Sequence, residues 1–164
     1  MCSSDLAGLA AIMLVLGPAT AIIVQHVDFG TKLSDPPFLS VQLLGITTFG
    51  VLVAAGLLMR ADAAAHKRLM LLGTLFISDA GFARWLGDGL TKLMGDGFWP
   101  FWTESYIGND IVLLLFMAYD LATRRRLHPV FIAGAALGLT DQLIATWLYY
   151  SPWWKPVAVT LIGH

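Results

Sequence analysis

The sequence predicts an all-α integral membrane helical bundle with about five transmembrane helices, forming a single domain over residues 1–164. The first observation is composition: 57% of the residues are hydrophobic and only 13% are charged, whereas soluble domains have about 25% charged residues. The second is a set of apolar runs long enough to cross a hydrocarbon core of about 30 Å. The runs are continuous rather than alternating, which favours helices over barrel strands. They cover roughly 6–25, 38–59, 66–87, 106–123 and 129–150.

The first run has an unusual start. Pro18, Ala19, Thr20 and Ala21 follow an apolar stretch and slightly resemble a signal-peptidase site, but MCSSD at residues 1–5 lacks the basic region of a signal peptide. We therefore expect an uncleaved helix. The same missing basic flank suggests an N-terminally truncated chain.

Basic residues predict the orientation. Six of them, Arg60, Lys67, Arg68 and Arg124–126, lie in the links after the second and fourth runs, which five spans place on one side. The opposite side has only Lys32, Lys92 and Lys155. The positive-inside rule makes the six-charge side cytoplasmic. We expect a cytoplasmic N-terminus and a periplasmic C-terminus, with the lipid bilayer as the main partner.

Three carboxylates lie at a similar depth in three different runs. Asp79, Asp110 and Asp141 each stand 13 or 14 residues from the basic or histidine residue at the cytoplasmic end of their run. At helical rise this is about 20 Å from the inner boundary. Arg84 lies slightly further out, and its long stem reaches back toward that level or out to the headgroups. Charged groups inside a bilayer are costly, so we expect these side chains to form an intramembrane polar cluster facing the bundle interior.

Four interpretations of this cluster remain open. In the first it is structural: Arg84 pairs with one carboxylate, and the others are protonated or hydrogen-bonded to Thr140, Gln142 or Asn109. The second is a proton or cation path through the carboxylates. The third is a ligand or divalent-metal site. The fourth places one or more of the carboxylates in an outer loop. Asp120 is expected to pair with the nearby arginine cluster instead.

Two histidines suggest an alternative function. His66 and His128 lie at the same cytoplasmic boundary on different predicted helices. A bis-histidine b-type haem site needs such a pair, although both residues stand beside basic clusters, where a solvated imidazole is also expected. The sequence requires no cofactor.

Other motifs give weaker indications. Gly134 and Gly138 form a small-xxx-small pattern that permits close helix packing or a helix–helix oligomer. Gly-Asp-Gly occurs at 87–89 and again at 95–97, and predicts turns. No nucleophile elbow, P-loop or HExxH motif is present, which favours a non-enzymatic role. The basic residues are too few and dispersed for a nucleic-acid site.

Two segments carry a resemblance. HKRLMLLGTLFISDAGFARW at 66–85 and YDLATRRRLHPVFIAGAALGL at 119–139 resemble uncharacterised bacterial multi-pass inner-membrane proteins with an "HKRLMLLAT" helix and a "YDL-TRRR-HP" junction. The resemblance covers most of residues 38–150, and implies a location in the bacterial inner membrane. His66 and His128 match the group's motif histidines. Longer members have further N-terminal helices, and the group implies no activity. The leading hypothesis is thus a multi-pass membrane protein whose polar cluster is structural or proton- or cation-coupled.

Overall fold

The computed structural model describes residues 3–164, except the side chains of residues 3, 4, 6 and 88, and confirms the all-α prediction. Cys2 lies outside the described residues. Helices and turns make up the described part, which has no strand. The helices are α1 (Ser3–Asp28), α2 (Leu39–Leu58), α3 (Ala63–Phe76), α4 (Asp79–Met94), α5 (Phe98–Arg124), α6 (Pro129–Tyr150) and α7 (Trp154–Leu161), with a 3₁₀ turn at Pro36–Phe38 before α2.

Four stretches are long and apolar enough to cross a membrane as single helices. They are Ala7–Asp28, Pro36–Leu58, Phe98–Arg124 and Pro129–Tyr150. The predicted span at 66–87 is not one continuous helix. It is divided into α3 and the first part of α4, Asp79–Gly87, which meet at an angle of 43°. Counting this bent pair as one span gives the predicted total of five.

Side-chain hydroxyl groups lie next to the bend. Thr74 donates a hydrogen bond to the carbonyl oxygen of Met70 at 3.0 Å, and Ser78 donates to that of Thr74 at 2.8 Å. Such bonds to the preceding turn often bend helices, although Thr140 and Thr146 make the same bonds within the unbroken α6. Ser78 and Asp79 are also residue types that favour helix starts over helix interiors. The overall apolarity of the run concealed this local preference.

The connection between α4 and α5 is shorter than the sequence suggested. The turn predicted at 87–89 is wrong, because α4 continues to Met94. The turn predicted at 95–97 is confirmed: Gly95 and Gly97 have φ angles of 72° and 145°, which L side chains rarely adopt. Helix α5 begins directly afterwards at Phe98 instead of near residue 106.

A capping residue in the link between α2 and α3 starts α3. The carboxylate of Asp62 accepts hydrogen bonds from the backbone N–H groups of Ala65 at 3.1 Å and Ala64 at 2.9 Å. These bonds satisfy donors that the first helical turn leaves without partners. Because they favour the ionised form, they lower the pKa of Asp62 below its usual value.

The main core lies between α2, α3, α5 and α6. Its buried members are Leu52, Ala65, Leu69, Leu72, Leu75, Phe76, Leu113, Val130 and Phe131. Gly134 and Gly138 of α6 face this core, where a Cβ atom on Gly134 would collide with Leu72 and one on Gly138 with Phe76. The small-xxx-small pattern therefore serves packing of α6 against α3 within one chain. These buried glycines are not an exposed surface for an oligomer.

Helix α1 lies at the edge of the bundle. It packs on α2 through Ala10, Phe49 and Val53. At its other end, the Nδ1 atom of His26 lies 2.7 Å from the carbonyl oxygen of Ile162, just after α7. Helix α1 does not pack extensively against α4, so a space remains between these two helices.

Candidate functional site

The three carboxyl groups singled out from the sequence each contact a neutral polar side chain on another helix. Asn109 donates to Asp79, Gln142 donates to Asp110 at 3.0 Å, and Thr48 donates to Asp141 at 2.7 Å. Asp79 and Asn109 join α4 to α5, Asp110 and Gln142 join α5 to α6, and Asp141 and Thr48 join α6 to α2. We call these six residues the carboxyl layer. Its three hydrogen-bonded pairs involve four helices, and neighbouring residues of α5 and α6 belong to successive pairs.

Asn109 extends the layer to a fifth helix. Its side chain is completely buried, and its amide nitrogen also donates to the carbonyl oxygen of Leu75 at 2.8 Å. Leu75 lies in the last turn of α3, while Asp79 begins α4. Asn109 therefore holds both sides of the bend. Two of the partners expected from the sequence, Asn109 and Gln142, do bind carboxyl groups, whereas Thr140 donates to the carbonyl oxygen of Ala136 in its own helix at 2.7 Å.

The carboxyl layer contains no cation. Asp110 and Asp141 are both close enough to Asp79 to interact with it electrostatically. The expected pairing of Arg84 with a carboxylate is not observed: the ion pairs among the described residues all involve Asp120. Arg84 is exposed, and its guanidinium donates to the carbonyl oxygen of Ala80 at 3.4 Å. Hydrogen bonds to neutral groups, not an ion pair, therefore connect these acidic side chains to the bundle.

A cavity of about 810 Å³ adjoins the layer at Asp79. Helices α1 and α4 form opposite walls, and α2 and α5 contribute the surface between them. Most of the lining is apolar, including Met13, Leu16 and Ile46. Of the described residues, Asp79 and Arg84 are the only ones with charged side chains that line it, and Asp110 and Asp141 do not. Asp79 is thus the member of the layer that faces this space.

Two residues of the cavity wall carry polar atoms that are buried. Tyr106 of α5 is 2% exposed, and its hydroxyl lies beside the side chain of Thr146, which can accept from it. The neighbouring hydroxyl of Thr146 already donates to the carbonyl oxygen of Gln142 at 2.8 Å. On α2, the side-chain oxygen of Gln42 is buried and has no hydrogen-bond partner among the described residues. Both atoms have almost no accessible surface, so they lie inside the wall and do not open into the cavity. Neither residue was predicted from the sequence, because neither is charged.

A separate ion pair connects helices near the opposite end of the bundle. Arg68 of α3 pairs with Asp120 of α5, and both side chains are buried. The other oxygen of Asp120 accepts from the backbone N–H of His128 at 3.0 Å. The expected contact with the arginine cluster is confirmed but is peripheral, since Arg124 is exposed and lies 3.5 Å away. Assigning Arg68 to the basic loop was wrong. Its position in the second turn of α3 faces the bundle core.

The two histidines make local structural contacts. The Nδ1 atom of His66 lies 2.7 Å from the carbonyl oxygen of Gly56 near the end of α2. The Nδ1 atom of His128 accepts a hydrogen bond from the backbone N–H of Val130 at 3.3 Å and so caps α6. A neutral imidazole whose Nδ1 accepts carries its proton on Nε2. His128 would have to give up its cap or change tautomer to ligate haem iron, so this pair does not fit a bis-histidine haem site.

The described residues include no group of three or more His, Cys, Asp or Glu side chains arranged to hold a metal ion. The carboxyl layer consequently offers oxygen atoms in separate pairs. No protein-family model, curated protein or solved structure matches the chain.

Proposed function

We propose that this chain is a multi-pass protein of the bacterial inner membrane in which the carboxyl layer holds the helices together and Asp79 exchanges protons with the adjacent cavity. The observation that carries this proposal is the dual position of Asp79. It belongs to the hydrogen-bonded layer through Asn109, and it also lines the cavity.

The structural part of the proposal is supported by the partners of the three carboxyl groups. Each bond joins two different helices, and hydrogen bonds between membrane helices contribute about 0.6 kcal/mol on average. No single bond then holds the fold, but together the bonds oppose separation of the helices around the main core. We expect a role of this kind wherever polar groups face each other inside a bilayer.

The proton-exchange part is supported by the absence of a cation beside Asp79 among the described residues. An acidic group paired with arginine is held in its charged form, whereas one bound by a neutral amide is free to gain or lose a proton. Intramembrane acidic residues are common members of proton relays. The cavity gives Asp79 a space through which a proton donor reaches it.

The proposed orientation has the N-terminus in the cytoplasm and the C-terminus in the periplasm. Removing the buried Arg68 from the count leaves five basic residues in the links after the second and fourth spans, against Lys32, Lys92 and Lys155. The positive-inside rule still favours this orientation. An alkaline phosphatase fusion at the C-terminus should be active and a green fluorescent protein fusion dark; the reverse pattern would contradict the orientation.

The proton-exchange proposal is tested in proteoliposomes with a pH-sensitive dye inside and an imposed potassium diffusion potential. We expect proton flux with the unmodified protein and background flux with Asp79→Asn, which keeps the shape of the side chain but cannot ionise. Asp96→Asn, in the turn between α4 and α5, is the matched control and should conduct normally. Circular dichroism must show that both variants fold. Equal flux in Asp79→Asn and the unmodified protein would eliminate this part of the proposal.

A further inference from the structure

We propose that a groove between α3 and α5 binds an anionic phospholipid, with the phosphate at Lys67 and Tyr119 and an acyl chain along Leu71 and Leu115. The groove lies near the end of the bundle formed by the link between α2 and α3 and the link between α5 and α6, which we call the basic end. The proposal depends neither on proton exchange at Asp79 nor on which end of the bundle is cytoplasmic.

The groove has a volume of about 190 Å³ and lies slightly inside the basic end. Lys67 of α3 and Tyr119 of α5 line it and are both exposed. Lys67 lies four residues after the start of α3, and Tyr119 lies five residues before the end of α5. At helical rise both residues are therefore about 6–8 Å inside the helix ends. An ammonium group and a hydroxyl group at matching depth are two donors that one phosphate group can accept from.

The charge at the groove favours an anionic ligand. Asp120 is the acidic residue among those that line it, and it already binds the buried Arg68 and lies 3.5 Å from Arg124. One carboxylate offsets only one of these two cations. Lys67 adds a third cation, and it takes part in no ion pair with the described residues, since the observed pairs all involve Asp120. The groove and its edge thus carry two positive charges in excess.

The surface around the groove has the same sign. Six basic and three acidic side chains lie at the basic end; they are Arg60, Lys67, Arg68 and Arg124–126, against Asp5, Asp62 and Asp120. Clusters of basic residues beside a membrane attract lipids with anionic head groups. This excess draws an anionic lipid to the basic end, and the groove provides the place where one is held.

The apolar surface beside the groove identifies the occupant as a lipid. Sites that enclose a small molecule have volumes of about 300–1,000 Å³, so this smaller groove holds only part of its ligand. Leu71 follows Lys67 by one turn and is 39% exposed, and Leu115 precedes Tyr119 by one turn and is 62% exposed. Both leucines belong to stretches that are apolar enough to cross a membrane. An acyl chain covers them toward the bilayer centre, whereas a free phosphate ion leaves them uncovered.

The test is native mass spectrometry of the purified protein with added dioleoylphosphatidylglycerol. We expect one lipid to bind to each chain with higher affinity than any further lipids. Dioleoylphosphatidylcholine has the same acyl chains and phosphate, but its choline group makes it neutral overall. It should bind about fivefold more weakly or worse, because its charge does not complement the groove. Excess inorganic phosphate should not displace dioleoylphosphatidylglycerol, because the ion lacks an acyl chain.

A pair of variants separates the groove from the general charge of the basic end. Lys67→Gln should weaken binding of dioleoylphosphatidylglycerol about fivefold, as expected for one basic residue beside an anionic lipid. Arg60→Gln removes the same charge at the same end of the bundle, but Arg60 does not line the groove. This matched control should bind almost normally. Because Lys67 is exposed and outside the observed ion pairs, its replacement should leave folding intact, and circular dichroism checks this.

A third variant tests the hydroxyl donor. Tyr119→Phe keeps the ring, which is 72% exposed, and removes only the hydroxyl. It should weaken binding roughly fivefold, because the phosphate loses one hydrogen bond to a charged group.

Equal binding of the two lipids would overturn the proposal, as would unchanged binding by Lys67→Gln. Equal losses in Lys67→Gln and Arg60→Gln would also overturn it, since binding would then depend on overall charge and not on the groove. Displacement of the lipid by inorganic phosphate would identify a free anion as the occupant and overturn the lipid assignment. If Lys67→Gln fails to fold, Tyr119→Phe decides.

Discussion

The hydrogen bond between Thr48 and Asp141 offers the sharpest test of the carboxyl layer as a structural element. Thr48→Val replaces the hydroxyl with a methyl group of similar size. The bond is 2.7 Å long and Thr48 is 4% exposed, so water cannot easily replace the lost donor. Thr47→Val is a matched control one residue earlier, because the exposed Thr47 donates only to the carbonyl oxygen of Leu43 in its own helix at 2.7 Å.

Values for other membrane proteins set bounds on the free energy of unfolding that Thr48→Val should lose. Interhelical hydrogen bonds in membranes contribute about 0.6 kcal/mol on average and about 1.7 kcal/mol at most. The short distance and the buried donor place Thr48→Val above the average, at about 1 kcal/mol. Thr47→Val should change the free energy of unfolding by no more than about 0.5 kcal/mol, as expected for a substitution away from helix contacts.

The assay is unfolding of the purified protein by sodium dodecyl sulfate in mixed dodecylmaltoside micelles, followed by far-ultraviolet circular dichroism. A double-mutant cycle with Asp141→Ala isolates the pairwise free energy. We expect Thr48→Val to have little further effect once Asp141 has been removed. Equal destabilisation by Thr48→Val and Thr47→Val, or additive losses in the cycle, would refute the structural assignment.

Three further predictions concern other parts of the bundle and use the same unfolding assay. Gly138→Ala forces a methyl group into the α3–α6 contact and should be about 1–3 kcal/mol less stable than Gly45→Ala. The control adds the same methyl group where nothing lies within 4 Å. Similar stabilities of the two variants would contradict the packing role of Gly138. Asp120→Ala leaves the buried guanidinium of Arg68 unpaired, so it should destabilise the protein far more than Arg124→Ala, which removes a side chain that is 55% exposed. Comparable losses of unfolding free energy in the two variants would contradict the role of the buried pair. The pKa of Asp62 is lowered by its capping bonds, so its contribution is complete above the unfolded pKa of about 4 and is lost as the pH falls through the lower folded value. Asp62→Ala should remove that part of the acid dependence, and an unchanged pH profile would count against the cap.

The membrane class and most of the spans were predictable from the sequence, because a continuous apolar run of about 20 residues is the length that a bilayer-crossing helix requires. The bend after Phe76 was not predicted. Hydropathy is averaged over a whole run, whereas the bend lies at Ser78 and Asp79, two residue types that favour helix starts over helix interiors.

Only the charged residues of the site were predictable from the sequence. Asp79, Asp110 and Asp141 stood out because ionisable residues are rare inside membranes. Sequence spacing indicated their approximate depth but not their partners, which depend on how each helix is rotated about its axis. Thr48 was missed because threonine is common in membrane helices. Arg68 was misassigned because its position near a basic loop concealed the side of α3 on which it lies.

Variants of two members of the carboxyl layer show whether Asp79 itself exchanges protons, because their proton fluxes should differ. Asp79 lines the cavity and Asp141 does not, although both bind a neutral partner on another helix. In proteoliposomes containing equal amounts of folded protein, we expect Asp79→Asn to abolish proton flux and Asp141→Asn to retain it. Loss of flux in both variants, or in neither, would contradict the assignment of proton exchange to Asp79.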